Sequence, residues 1–160
     1  MDRKKIFKEI ENGNFSLQDA DEKLKADKEI VLAAVNQDPW VLEHAIKKFK
    51  ADKEIVIAAV KKDGGTLKFA DKNLKNDKKV VLIAVKNIST IAGSDWALNY
   101  ASKKLRADKE IVLTAVKHTA KALQHADKKL RGDKKIVLIG IFKHFSIIFY
   151  RLKNNFFISF

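Results

Sequence analysis

One nonamer recurs five times and constrains the fold more than any other feature of the chain. Asp27 begins DKEIVLAAV, Asp52 DKEIVIAAV, Asp77 DKKVVLIAV, Asp108 DKEIVLTAV and Asp133 DKKIVLIGI, at spacings of 25, 25, 31 and 25 residues. Such a period is the mark of a stacked array, whose units are each too small to bury their own apolar face. Stepping back 25 residues from Asp27 reaches Asp2. The nonamer is degenerate there, yet Leu17, Ala20 and Leu24 sit where Leu42, Ala45 and Phe49 sit one unit later. The chain therefore reads as one repeat domain of six units: 2–26, 27–51, 52–76, 77–107, 108–132 and 133–160.

Each unit reads as a short antiparallel helical hairpin. The leading Asp fits an N-cap that accepts from the orphan N–H groups of the first turn. Glu29, Glu54 and Glu110 follow it near the positive helix end. The run I-V-L-x-A-V is short and β-branched enough to suit a buried strand as well. The preceding D-K-E and the helical period of the second half favour a first helix, apolar almost all round and therefore buried on all sides. The second half places Leu67, Ala70 and Leu74 at i, i+3 and i+7, repeated by Leu98, Ala101 and Leu105 and by Leu123, Ala126 and Leu130. That spacing predicts a second helix with one narrow apolar face. Small residues recur in both halves (Ala34, Ala59, Ala84, Ala115 and Gly140; Ala45, Ala70, Ala101 and Ala126) and would permit close helix approach. Asn76 and Gly132 suit a left-handed helix end, and Asn12-Gly13-Asn14, Asp38-Pro39 and Asp63-Gly64-Gly65 suit turns. The expected architecture is an all-α solenoid or superhelix of such hairpins.

The alternation D-K-E-I-V-L-x-A-V-K, then L-x-x-A-x-x-x-L-K/R-x-D, resembles the uncharacterised repeat family called domain of unknown function four-one-one-six, over residues 2 to about 142. The resemblance implies a tandem helical array of a kind found in bacterial and some eukaryotic proteins. It implies no activity and carries no functional residues.

The departures from the repeat are informative. Unit one has Lys5, Lys8 and Glu9 where other units are apolar, as a solvent-facing terminal cap should. In unit six, Arg151 and Asn155 replace the Ala and Leu of the second half, and no turn signal intervenes. This predicts one long helix from about Asp133 to Lys153, followed by a short apolar tail from Phe156 to Phe160. Phe142, Phe145, Phe149, Tyr150, Phe156 and Phe157 make this end aromatic. It can fold back as a cap, join two copies as a homo-oligomer or, least favoured, lie on a membrane surface. Unit four carries six extra residues between Val85 and Leu98, bringing Ser89, Thr90, Ser94, Trp96 and Tyr100 to one loop region. Loops on rigid arrays often carry recognition, although Trp96 also suits packing at the start of its helix, like Trp40 in unit two.

Charge is unevenly shared. The formal net charge is +13, and the six units carry 0, 0, +2, +4, +3 and +4 in order. The excess recurs near the end of the second half, at Lys103, Lys104 and Arg106, then at Lys128, Lys129 and Arg131, with Lys109, Lys134 and Lys135 after them. Stacking would align these clusters in a ridge, suited to an acidic partner or to tracking phosphates, and diluted by Asp71 and Asp127. Without RNP-type aromatics or a helix-turn-helix spacing, nucleic-acid contact would follow the backbone rather than the sequence.

Chemistry finds little support. The chain has no Cys, which excludes thiolate catalysis, disulfides and Cys-ligated metals. It has no G-x-S-x-G, P-loop or G-x-G-x-x-G. His118 and His125 are seven apart, a spacing that fits no established metal signature. The charged opening MDRKKIFKEIENGNF has no apolar core of a secretory leader, and no run reaches membrane-spanning length, so a cytoplasmic location is expected. The combined expectation is a protein with no catalytic, cofactor or metal site. It would be a non-enzymatic helical module that docks on a protein partner as adaptor, effector or inhibitor. One concrete form is a phage- or prophage-encoded inhibitor of a host defence nuclease, of the anti-CRISPR type. The alternative is nonspecific binding of nucleic acid, a ribonucleoprotein or another anionic surface through the basic C-terminal half.

Overall fold

A computed structural model describes residues 2–87 and 96–143. Among these residues there is no strand, and the chain is an all-α solenoid. Each unit begins with a long helix: Arg3–Glu11, Lys28–Gln37, Lys53–Lys62, Lys78–Lys86 and Lys109–His118, then the helix of unit six, described over 134–143. The leading aspartates cap them. Asp27, Asp52, Asp77, Asp108 and Asp133 each accept from the N–H groups two and three residues on, at 2.9–3.3 Å. Successive long helices pack side by side from unit one to unit five. One core runs from Leu17 to Ile136, and a smaller cluster of Ile6, Ile10 and Ile30 closes the N-terminal end. There Lys5 and Lys8 are exposed and Glu9 is half-buried, as befits a terminal cap.

In units two to five the second half is not a single helix. It is a six-residue 3-10 segment (Pro39–His44, Gly64–Phe69, Ala120–His125), an extended joint at the recurrent Ala, and one further helical turn (Lys47–Lys50, Leu74–Asn76, Lys128–Arg131). In unit four the segment before the joint, Ala97–Tyr100, is α-helical, and the turn after it is Lys103–Arg106. Ala45, Ala70, Ala101 and Ala126 have φ between −65° and −71° and ψ between 147° and 160°. At three of these four joints the next N–H is used elsewhere. Asp71 N–H donates to the Lys50 carbonyl at 2.8 Å, Ser102 N–H to Lys75 at 2.9 Å and Asp127 N–H to Arg106 at 2.9 Å. Each of these rungs joins one unit to the unit before it. Such a bond between units replaces the intrahelical bond that a continuous helix would need at that residue. The joint alanines are 4–6% exposed, so their small size fits a buried extended backbone rather than a helix crossing.

Two smaller expectations also change. The only positive φ among the described residues is Gly13, at 74°. Gly132 has φ −93° and ψ −1°, close to Ala26, Ala51 and Ala107 at the same junction. The chain enters the next cap without a left-handed residue, so Ala serves there as well as Gly. Nor are the long helices sealed all round: Leu32, Ile57, Leu82 and Leu113 pack against the core but are only half-buried.

A charge ladder ties the units together. The cation after each leading Asp reaches the Asp of the following unit: Arg3 to Asp27 at 2.6 Å, Lys28 to Asp52 at 2.8 Å, Lys53 to Asp77, Lys78 to Asp108 at 2.8 Å and Lys109 to Asp133 at 2.8 Å. Arg3, Lys28 and Lys78 also reach Glu29, Glu54 and Glu110, at 2.6, 2.9 and 2.8 Å. In Asp27, Asp52 and Asp77, partial burial pushes the carboxyl pKa up. Bonds from the cation and the capped N–H groups outweigh this and leave it below the ordinary value. In Asp108 and Asp133 the cation's hydrogen bond is the main cause of the same downward shift. Arg3, Lys28 and Lys78 are raised by their carboxylate partners.

The sign of the pH effect follows. A carboxyl whose folded pKa is depressed contributes stability above its ordinary pKa and loses it as pH falls through the folded value; a raised lysine loses its share only at high pH. The double variant Lys28→Met, Lys78→Met should therefore melt below the wild type near neutral pH, with the gap closing from about pH 6 to about pH 2. A gap that stayed constant across that range in thermal melts would show that the ladder contributes nothing.

Candidate functional site

The basic clusters sit on the short turns that follow the joint. Ser102 caps Lys103–Arg106 by accepting from Leu105 N–H at 3.3 Å, and Asp127 caps Lys128–Arg131 by accepting from Lys129 N–H at 2.9 Å. Asp127, which reads in the sequence as diluting the ridge, is thus a cap, and Asp71 accepts from Asn73 N–H at 2.8 Å in the turn ahead of Leu74–Asn76. A four-residue turn buries little, and here Leu105 and Leu130 supply the inward contact. Lys103, Lys104, Lys128 and Lys129 are left in solvent, with Arg131 exposed and Arg106 half-buried. None of these six cations forms an ion pair with a described residue. Lys109 differs: its ammonium belongs to the ladder, on Asp133, and not to the ridge.

The rung from Asp127 to Arg106 draws two of these turns together and leaves a cleft of about 340 Å³ between units four and five. Lys103, Arg106, His125, Lys128 and Arg131 line it, beside the Asp127 cap. Arg106 holds a position that earlier units use internally. Lys50 donates to the Glu43 carbonyl at 2.7 Å and Lys75 to the Lys68 carbonyl at 2.6 Å. Burial lowers the Lys75 pKa, with Asp71 opposing. Among the described residues, Arg106 Nε is buried and has no hydrogen-bond partner.

Trp96 lies next to this cleft. Its ring is 46% exposed and packs on His125 of the next unit, centroids 5.6 Å apart and tilted by 36°. Trp40 meets Phe69 of its own next unit in the same way, edge-on at 5.8 Å. Trp96 is therefore a packing residue that stays partly exposed. Tyr100 is half-buried against the core. Ser89, Thr90 and Ser94 lie outside the described residues, as do Phe145, Phe149, Tyr150, Phe156, Phe157 and the remainder of the expected C-terminal helix. Phe142 is described and is 72% exposed.

A second surface was missed in the sequence. The half-buried Leu32, Ile57, Leu82 and Leu113 form a repeated apolar stripe along the long helices, beside an exposed row of Lys61, Lys86 and Lys117. Between units two and three it deepens into a groove of about 720 Å³, floored by Leu32, Ile57 and Ala58. The period was visible, but it did not reveal which side of the helix the neighbouring units would leave uncovered.

The profile of the family described as domain of unknown function (DUF4116) matches residues 2–50, 52–106, 91–131 and 108–156. The chain belongs to this family. The overlapping matches follow the tandem repeats along nearly the whole sequence. No curated protein and no solved structure matches the chain. Among the described residues, no helix is long and apolar enough to cross a membrane, and no group of three or more His, Cys, Asp or Glu is placed to hold a metal ion.

Proposed function

We propose that the array is a non-enzymatic docking module whose apolar stripe receives a protein partner. The observation that supports this most is the repetition: the same position is half-buried in four successive units, at Leu32, Ile57, Leu82 and Leu113. One partly open apolar residue means little, whereas an aligned row is a contact surface. The lysines at Lys61, Lys86 and Lys117 select the partner by charge. It is an amphipathic segment whose apolar side chains enter the grooves and whose acidic residues meet these lysines. An inhibitor that docks on a host defence nuclease is one concrete form of such a module.

The test uses the charge-inserting double variant Ile57→Asp, Leu82→Asp, with far-UV circular dichroism to confirm folding. A protein cross-linked to the wild type in lysate of the native host should be lost from the variant and kept by Lys103→Gln, Lys128→Gln. Equal recovery by wild type and double variant would overturn the assignment of this surface.

A further inference from the structure

We infer that the cleft between units four and five binds single-stranded nucleic acid, with a backbone phosphate among Lys103, Arg106, Lys128 and Arg131 and a neighbouring base on the partly exposed indole of Trp96. This site is separate from the apolar stripe and does not depend on it.

Four cations converge on one cleft of about 340 Å³, against the single carboxylate of Asp127. That carboxylate already accepts a backbone N–H at the start of its own turn. Two of the four cations are guanidinium groups, whose planar donor fork matches phosphate oxygens. Among the described residues Arg106 Nε is buried without an acceptor. At the corresponding position Lys50 and Lys75 are satisfied by backbone carbonyls, which sets the unit-four residue apart from its equivalents.

The aromatic surface points to the same ligand. His125 lines the cleft and also packs on Trp96, so a partly exposed indole lies one ring away from the cations. A positively charged groove beside an aromatic platform is the arrangement by which proteins hold single strands, because every unpaired base offers a face to stack. A duplex keeps its bases stacked inside and presents only phosphates to such a surface. An acidic protein would satisfy the cations but would leave the indole unused. Lys104 and Lys129, exposed on the same two turns, extend the positive surface beyond the cleft for adjoining phosphates.

The experiment is fluorescence anisotropy of the full chain with labelled oligo-U and oligo-dT of about 12 nucleotides, a duplex of equal length, and polyglutamate as competitor. Single strands should bind with a negative log–log salt slope. Lys103→Gln, Lys128→Gln should reduce its magnitude by about 1.4, since each neutralised phosphate of a single strand contributes roughly 0.7. Trp96→Ala should weaken binding by roughly 5- to 100-fold. Lys53→Gln, in the ladder, should leave both measures unchanged. In Trp40→Phe, where Trp96 is the remaining indole, its emission should be quenched by oligo-U but not by the duplex. Absence of single-strand binding at low salt would overturn the inference. So would affinity indifferent to Trp96→Ala, or polyglutamate displacing the strand as well as unlabelled oligo-U does.

Discussion

Gly64→Ala is expected to destabilise the protein by about 3 kcal/mol, lowering the melting temperature by roughly 6–12 °C. Gly64 is fully packed at the start of the unit-three 3-10 segment, and its N–H donates to the Asn87 carbonyl of unit four at 2.6 Å. A Cβ there would stand 1.9 Å from the Ala84 carbonyl oxygen and 2.8 Å from its carbon. Those atoms are the backbone end of the unit-four long helix, which cannot move aside as a flexible side chain can. The two units would have to separate, weakening the bond to Asn87 as well. Asn87 is also the C-cap of that helix. Gly132→Ala is the control. Its nearest neighbour to a new Cβ is 3.8 Å away and its backbone is ordinary, so this change should be neutral or stabilise by a few tenths of a kcal/mol, about the lower end of the usual gain. Equal melting temperatures for both variants in calorimetry would show that the close approach at Gly64 is not tight.

Ser102→Pro should cost about 2–4 kcal/mol, although its backbone already suits proline. Ser102 has φ −58° and ψ 156°, and the preceding Ala101 has ψ 154°, so the ring fits without strain. What proline removes is the rung to the Lys75 carbonyl, which would be left without its donor. It also removes the cap on Leu105 N–H and the bond from Ser102 Oγ to Asn76 Oδ1 at 2.7 Å. Ser102→Ala loses the two side-chain bonds and keeps the rung, and should cost about 0.5–2 kcal/mol. The difference between the two variants in urea unfolding isolates the bond between units. If they were equally stable, the rung would not be what holds the joint open.

The two surfaces differ in how far the sequence exposed them. Lys103, Lys104, Arg106, Lys128, Lys129 and Arg131 could be singled out because Lys-Lys-Leu-Arg recurs 25 residues apart. Their convergence with Trp96 and His125 could not, since it depends on the rung that brings consecutive turns together. The capping role of Ser102 and Asp127 had a readable signal, an Asp or Ser directly after the recurrent Ala. That signal was hidden by the i, i+3, i+7 pattern around it. A continuous helix and a 3-10 segment broken by an extended joint bury the same leucines, so apolar spacing does not separate the two.

The sequence by itself determined the repeat, the long first helix that opens its units and the cap at the start of that helix. These rest on interactions within a few residues: a carboxylate reaches N–H groups two or three positions on, and an apolar run takes its period from the backbone. Only the tertiary structure decided where the second half breaks, which cations are committed and which remain open. The rungs join residues 21 to 27 positions apart, and the ladder joins residues 24 to 32 apart. Lys109 and Lys103 are six residues apart in the chain and look alike there. Stacking gives one an aspartate from the next unit and leaves the other beside a cleft, because the partner that neutralises a charge comes from a neighbouring unit whose placement local propensity does not encode.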